Sequence, residues 1–121
     1  MSYFTEDELK CQHCGAYEID PEFLERLNSL RADYGKPMTV SSGYRCPEHP
    51  IEAKKSSGPG AHTSARAADI AVQGADALRL VELAVKHGFT GIGINQKGSS
   101  RFIHLDDITD ERFPRPTIWS Y

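Results

Sequence analysis

The chain has 121 residues, of which 39% are hydrophobic and 26% charged, and its net charge at pH 7 is −3. This length and balance predict one globular domain covering residues 1–121 rather than a disordered chain. The slightly acidic charge gives no electrostatic reason to expect a nucleic acid or an anionic membrane surface as a partner. We therefore expect the basic residues Arg112 and Arg115 on the solvated surface.

No segment is long and apolar enough to predict a membrane span. Residues 1–7 are acidic and lack a hydrophobic run, which is not the pattern of a secretory signal peptide. We therefore expect a protein that is synthesised in the cytoplasm without a signal peptide. We also expect this protein to be a monomer.

Three cysteines, Cys11, Cys14 and Cys46, are odd in number and do not predict a disulfide framework. The first two have the CxxC spacing of half a zinc knuckle, but no second CxxC pair follows them. Cys46 with His13 or His49 would complete such a site. The alternative is a set of buried, reduced thiols near a tight turn.

Helix and strand signals alternate along the chain. A capping Asp20, Pro21 at the first helical position and Gly35 at the end delimit a first helix. The other predicted elements are a strand at 38–42, an irregular loop at 46–61, a strand at 67–72, a helix at 75–87, a strand at 91–94, a polar turn at 95–100 and a strand at 101–106. This order predicts an α+β fold with a small, mostly antiparallel sheet and helices packed on it.

Three potential metal ligands lie at the edges of these elements. His62 closes the loop, Asp69 lies in the strand that follows, and His104 lies in an otherwise apolar last strand. Two imidazoles and one carboxylate, with a fourth position left for water, form the ligand set of a catalytic zinc site. A core histidine and a capping or turn aspartate are the alternative interpretation of the same residues.

Four short motifs follow one another along the chain. They are Ser42-Gly43-Tyr44-Arg45-Cys46-Pro47, the segment HTSARAADI from His62, Phe102-Ile103-His104-Leu105-Asp106, and Arg115-Pro116-x-x-Trp119-x-Tyr121. In this order they resemble the M15 family of zinc D-Ala-D-Ala carboxypeptidases and related murein peptidases, in particular its short phage forms. The resemblance implies a fold like that of hedgehog and the D-Ala-D-Ala peptidases, with Zn²⁺ held by His62, Asp69 and His104.

The resemblance also assigns catalytic roles. Arg45 falls on the family's SGYR arginine, which would stabilise the oxyanion of the scissile carbonyl, unless it only pairs with a carboxylate. Several branches of the family place a proton acceptor three positions before the last ligand, where this chain has Arg101, which cannot accept a proton. Asp106 is the best substitute for this proton acceptor, because alternation along the strand places it on the same face as His104. It would act as the general base or as a carboxylate that orients a ligand.

Other positions depart from the family pattern or carry aromatic rings. The family has glycine where this chain has Ala65, so Ala65 is strained if the position needs a positive φ and tolerated if glycine only saves space. Gly60 replaces a common serine. Trp119 and Tyr121 are expected to pack the C-terminal segment onto the domain, with a place in the substrate cleft as the alternative.

Together these features predict a zinc-dependent metallopeptidase that hydrolyses peptidoglycan stem peptides or crosslinks, with the cell wall as its site of action. The resemblance implies a D,D-carboxypeptidase or D,D-endopeptidase, and an L-alanyl-D-glutamate endopeptidase stays open because related enzymes share the metal site. The alternative from another class is a zinc-containing cell-wall or protein binding module without turnover, which Arg101 favours. A redox role for Cys11 and Cys14 ranks last, because the βαβ context of thioredoxin-like motifs is missing.

Overall fold

The structure is a computed structural model that describes residues 2–54 and 60–121. Its helices are α1 (Glu6–Leu9), α2 (Pro21–Tyr34), α3 (Pro50–Ala53) and α4 (Gly74–Lys86), and a short 3-10 helix covers Ala61–Ser64. The strands are β1 (Thr39–Ser42), β2 (Ala67–Ala71), β3 (Gly91–Asn95), β4 (Phe102–Asp106) and β5 (Thr117–Ser120). None of the described helices has the length and apolar character needed to cross a membrane.

The five strands form one sheet in the order β1-β2-β4-β3-β5. The pairs β1–β2, β2–β4 and β3–β4 are antiparallel, and only the pair β3–β5 is parallel. Because the sheet is mostly antiparallel and the helices pack beside it, the predicted α+β fold is confirmed.

The caps of α2 agree with the signals in the sequence. The Asp20 carboxylate accepts hydrogen bonds from the backbone N–H groups of Glu22 and Phe23, and Pro21 opens the first turn. Gly35 ends the helix with a φ of 77°, in the left-handed region that glycine adopts without strain.

Alternation along the strands separates a core face of the sheet from a site face. The buried core joins strand residues to the inner sides of α2 and α4, and among its members are Phe23, Leu27, Leu30, Ile70, Leu80, Ala84, Ile92, Ile103 and Leu105. The alternate strand residues, including Asp69 and His104, belong to the opposite face. The packed helices therefore support the sheet from behind the candidate site.

Four elements were not predicted, namely α1, α3, the 3-10 helix and β5. Helix α3 lies inside the segment 46–61 that was expected to be irregular, the 3-10 helix begins at its last residue, and residues 55–59 of that segment lie outside the described residues. Four-residue helices are too short to produce a periodic hydrophobic signal. Strand β5 pairs with β3, about two dozen residues earlier in the chain, and such non-local pairing leaves no mark in the local sequence.

Candidate metal centre

His62, Asp69 and His104 come together on the site face of the sheet. Asp69 and His104 are direct partners in the register of β2 and β4, and His62 lies in the 3-10 helix that precedes β2. Asp69 Oδ1 lies 3.2 Å from His62 Nε2 and 3.0 Å from His104 Nδ1. One ligand atom from each residue lies within 4.8 Å of the other two, and all three residues are buried.

In each imidazole, the outer nitrogen, which is the one that points away from Asp69, is held by a hydrogen-bond acceptor. His62 Nδ1 lies 2.7 Å from the Gly43 carbonyl oxygen, and His104 Nε2 lies 2.7 Å from Asp106 Oδ2. Since these oxygens can only accept, both outer nitrogens carry the hydrogen, and the inner nitrogens of neutral rings turn lone pairs toward Asp69. Two imidazole lone pairs and a carboxylate oxygen therefore converge with no hydrogen between them. Such an arrangement suits a cation, and two histidines with one aspartate are ligands that fit zinc.

The charges around the three residues favour a positive ion between them. Burial opposes ionisation of Asp69, but when the rings are protonated, their hydrogen bonds to Asp69, first from His104 and then from His62, outweigh burial and hold the pKa of this carboxyl below its usual value. Burial would likewise lower the pKa of His104, yet hydrogen bonds with Asp106 and Asp69 raise it. The negative charge that favours a proton on His104 also favours a divalent cation at the same place.

Asp106 holds His104 and is itself held by Arg115. Its Oδ1 accepts a hydrogen bond from Arg115 Nε at 2.9 Å, and its Oδ2 accepts from Arg115 Nη2 at 2.7 Å as well as from the His104 ring. Burial would raise the pKa of Asp106, but these hydrogen bonds lower it, so the carboxylate is ionised. The side chain is 0% exposed. Of the two roles expected for Asp106, this geometry favours orientation of the ligand.

Arg115 corrects one expectation from the sequence. Its side chain is only 8% exposed, and it donates two parallel hydrogen bonds to Asp106. Its guanidinium carbon also lies 5.0 Å from the centre of the Trp119 ring. The expectation that Arg115 belongs to the solvated surface is therefore wrong, because the buried carboxylate of Asp106 needs a charged partner.

Strand β3 has no side chains on its site face beside this network. A Cβ on Gly91 would overlap the Asp106 carboxylate and lie 2.5 Å from Arg115 Nε. A Cβ on Gly93 would lie 2.7 Å from the indole ring of Trp119. Glycine is required at both positions because polar and aromatic side chains of the neighbouring strands lie against the backbone of β3.

Arg45 reaches the site from the segment that follows β1. Its Nη1 lies 3.2 Å from Glu52 Oε2, and its Nη2 lies 3.7 Å from Asp69 Oδ2. Glu52, in α3, is 2% exposed, and its other oxygen accepts a hydrogen bond from the Gly60 N–H at 2.7 Å. One buried carboxylate therefore positions both Arg45 and the start of the 3-10 helix that carries His62.

The three candidate ligands lie in the wall of a cavity of about 620 Å³, a size typical of ligand sites. Its lining consists of Arg45, Ile51, Ala61, His62, Asp69, Phe102, His104, Phe113, Pro114, Arg115, Thr117, Trp119 and Tyr121. The Trp119 ring lies 5.0 Å from the His104 ring, and the Tyr121 ring lies 5.1 Å from the Phe102 ring. Trp119 and Tyr121 thus have both of the roles considered for them. Strand β5 attaches the C-terminal segment to the sheet, and the two aromatic residues also line the cavity.

The structure accounts for two departures from the family pattern, Arg101 by the place of its side chain and Ala65 by its backbone. Arg101 is exposed, donates Nε–H to the Gly98 carbonyl at 3.0 Å and lines a different cavity beside α4. It lies away from the three ligands and does not occupy the place of a proton acceptor. Ala65 has a φ of 69° and a ψ of 12°, so the left-handed backbone is the reason for a glycine at this position.

Two residues of the site, Glu52 and Arg115, had no predicted role. Glu52 lies in a polar segment bounded by prolines, where a charged residue is normally solvated, and no pattern marks it as buried. Arg115 belongs to the last of the four motifs. That membership was the one signal that pointed to the site.

Comparison with known proteins bears on this geometry. No curated protein gives a significant match. The sequence model of the family described as Peptidase M15 matches residues 2–106, a span that contains all three candidate ligands as well as Arg45. The chain therefore belongs to the peptidase M15 family of zinc metallopeptidases, which act on peptides.

Proposed function

We propose that the protein is a zinc-dependent peptidase of the cell wall that hydrolyses peptidoglycan stem peptides or crosslinks, as a D,D-carboxypeptidase or D,D-endopeptidase. The observation that carries the metal chemistry is the convergence of His62 Nε2, His104 Nδ1 and Asp69 Oδ1 in the wall of the cavity. The choice of peptidoglycan is supported by the resemblance of the four motifs to murein peptidases. We propose that the chain acts as a single-domain monomer.

His62, Asp69 and His104 would hold the zinc ion. A zinc ion on two imidazoles and a carboxylate lowers the pKa of a water and polarises a carbonyl oxygen. The protein keeps the imidazoles in the tautomers that this task requires, through the Gly43 carbonyl and the Asp106 carboxylate.

Arg45 is proposed to stabilise the oxyanion of the scissile carbonyl. Its guanidinium lines the cavity, 3.7 Å from Asp69, and its bond with the buried Glu52 limits the rotation of its side chain. A preorganised cation strengthens its interaction as charge develops on the carbonyl oxygen, so it lowers the energy of the transition state more than that of the bound substrate.

Asp106 is proposed as a positioning residue rather than as the proton acceptor. Both of its oxygens accept hydrogen bonds from Arg115 and His104, and its side chain has no exposed surface. A general base has to reach the water whose proton it takes, directly or through another water. Asp106 instead fixes the His104 ring and increases its basicity as a ligand.

A second candidate function, a zinc-containing cell-wall or protein binding module without turnover, is favoured by one observation. Among the described residues that line the cavity, the only carboxylate is Asp69, itself a candidate ligand. A binding module needs the cavity and the metal but no separate proton acceptor.

Mass spectrometry of defined muropeptides separates the two functions. Zinc-loaded protein is incubated with crosslinked and uncrosslinked muropeptides, beside a sample treated with a chelator. Loss of a terminal alanine indicates a carboxypeptidase, and cleavage of a crosslink indicates an endopeptidase, provided that neither occurs in the chelated sample. Intact muropeptides with stoichiometric zinc would refute the peptidase and leave the binding module.

Matched variants test the two assigned roles. Arg45→Lys should reduce kcat at unchanged zinc content, because a lysine keeps the charge but loses the planar guanidinium. Asp106→Asn should weaken zinc affinity about 10- to 100-fold. Asp7→Asn, on a side chain that is 88% exposed, is the control for a change of charge and should alter neither quantity.

A further inference from the structure

A second cluster of metal-binding side chains lies outside the proposed peptidase site. The thiols of Cys11, Cys14 and Cys46 all lie within 4.8 Å of one another, although Cys46 is more than thirty residues away in sequence. Cys11 and Cys46 are buried and Cys14 is exposed. Three thiols at this separation are the start of a structural zinc site, which requires four ligands and prefers sulfur.

The backbone around Cys11 has the form of a zinc knuckle. The Gly15 N–H donates to the Cys11 carbonyl at 2.8 Å, and Gly15 has a φ of 78°, so the chain turns tightly after Cys14. The Cys46 N–H donates to Cys11 Sγ at 3.3 Å.

The fourth ligand has to come from outside this group of three cysteines, and the sequence spacing favours His49. Cys46 and His49 are three residues apart, as Cys11 and Cys14 are, so the chain carries CxxC followed by CxxH. The His49 N–H donates to the Cys46 carbonyl at 3.0 Å, which forms a turn between them. His49 Nδ1 accepts a hydrogen bond from the Ile51 N–H at 3.2 Å, and on joining the thiolates the ring would exchange this bond for the metal.

We propose that Cys11, Cys14, Cys46 and His49 bind a second, structural zinc ion. The ion joins the end of α1 to the segment between β1 and α3. Because Arg45 precedes Cys46 in that segment, the ion also fixes the backbone that presents Arg45 to the cavity. This site does not depend on the proposed peptidase activity, since neither the ligands nor the cavity of that activity belong to it.

Metal content and cobalt spectroscopy test the proposal on the whole protein. The purified chain should contain about two zinc ions, one for each group of ligands, as measured by inductively coupled plasma mass spectrometry. His104→Ala should keep the thiolate-bound ion and reduce the content to about one. Substitution with Co²⁺ should give a thiolate-to-metal charge-transfer band in the near ultraviolet, in the parent chain and in His104→Ala alike.

Variants of the cluster identify its ligands. Cys14→Ser, at an exposed position, should abolish the charge-transfer band and leave about one zinc ion per chain. His49→Ala should weaken cobalt binding at the thiolates at least tenfold, whereas His13→Ala, on the ring 6.0 Å from that of His49, should not change it. An equal loss for both histidine variants would remove His49 from the site.

The reduced parent chain decides the matter even if a variant fails to fold. One zinc ion per chain together with three thiols that react freely with a thiol reagent would refute the second site. Muropeptide hydrolysis with only one zinc ion would refute the second site alone, and two zinc ions without hydrolysis would refute the proposed function alone.

Discussion

Replacing Ala65 by glycine should stabilise the protein. Ala65 has a φ of 69° and a ψ of 12°, and it connects the 3-10 helix that carries His62 to the strand that carries Asp69. Its carbonyl accepts a hydrogen bond from the Asp20 N–H at 2.8 Å, so the surrounding fold holds this peptide in place. A glycine would keep the same backbone and hydrogen bond without the steric conflict of the Cβ.

The size of the gain follows from three opposing effects. A left-handed backbone costs an L-residue with a Cβ about 1–2 kcal/mol, and the substitution removes this cost. Glycine increases the conformational entropy of the unfolded chain, which lowers the free energy of unfolding by about 0.4–1 kcal/mol. The loss of a half-buried methyl group removes about 0.3 kcal/mol more. The net gain is about 0.5 kcal/mol, which raises the Tm of a chain of 121 residues by about 2 °C.

Thermal and urea denaturation of the metal-loaded protein measure this gain against a matched control. Ala32→Gly makes the same chemical change at an exposed position inside α2, where it should lower the free energy of unfolding by about 1 kcal/mol. The two variants should therefore move the Tm in opposite directions. If both variants lower the Tm by similar amounts, the backbone at Ala65 is not left-handed in solution, and the reasoning fails.

Three further predictions concern the charges of the site. Arg115→Met should lower the free energy of unfolding by about 3–5 kcal/mol in urea denaturation, because it leaves Asp106 buried without its partner, and a loss as small as that of the exposed Arg112→Met would contradict this. Glu52→Gln should reduce kcat/KM for muropeptides about tenfold at unchanged zinc content, since Arg45 loses its charged support. Zinc at about 100 times its Kd should stabilise the chain by about 2.7 kcal/mol against a chelated sample, and identical Tm values would argue against a native zinc site.

The predicted elements were those with a strong local cause. The capping Asp20, Pro21 and Gly35 delimited α2, and mostly apolar runs, each with one polar residue inside it, marked the central strands β2 and β4. Strand β5 is only four residues long, lies at the edge of the sheet and depends on a parallel partner far away in sequence. Its four residues have no local pattern strong enough to predict a strand.

The metal ligands could be proposed from the order of the motifs, but their surroundings could not. His62, Asp69 and His104 are residue types with few structural uses at such positions, whereas a glutamate or an arginine is normally solvated. That Glu52 and Arg115 are buried depends on the three-dimensional arrangement of the segments that place a partner beside each of them. Such partners lie seven and nine residues away, at spacings that no regular helix or strand pattern marks.

The glycines of β3 determine which mutations this strand can accept. Any missense change of a glycine codon adds at least a methyl group, and at Gly91 and Gly93 that methyl meets the Asp106–Arg115 pair or the Trp119 ring. Ile92 and Ile94 pack on the core, where another aliphatic side chain of similar volume is tolerated. A saturation-mutagenesis profile along β3 should therefore alternate with a period of two residues, so that evolutionary drift in this strand is confined to every second position.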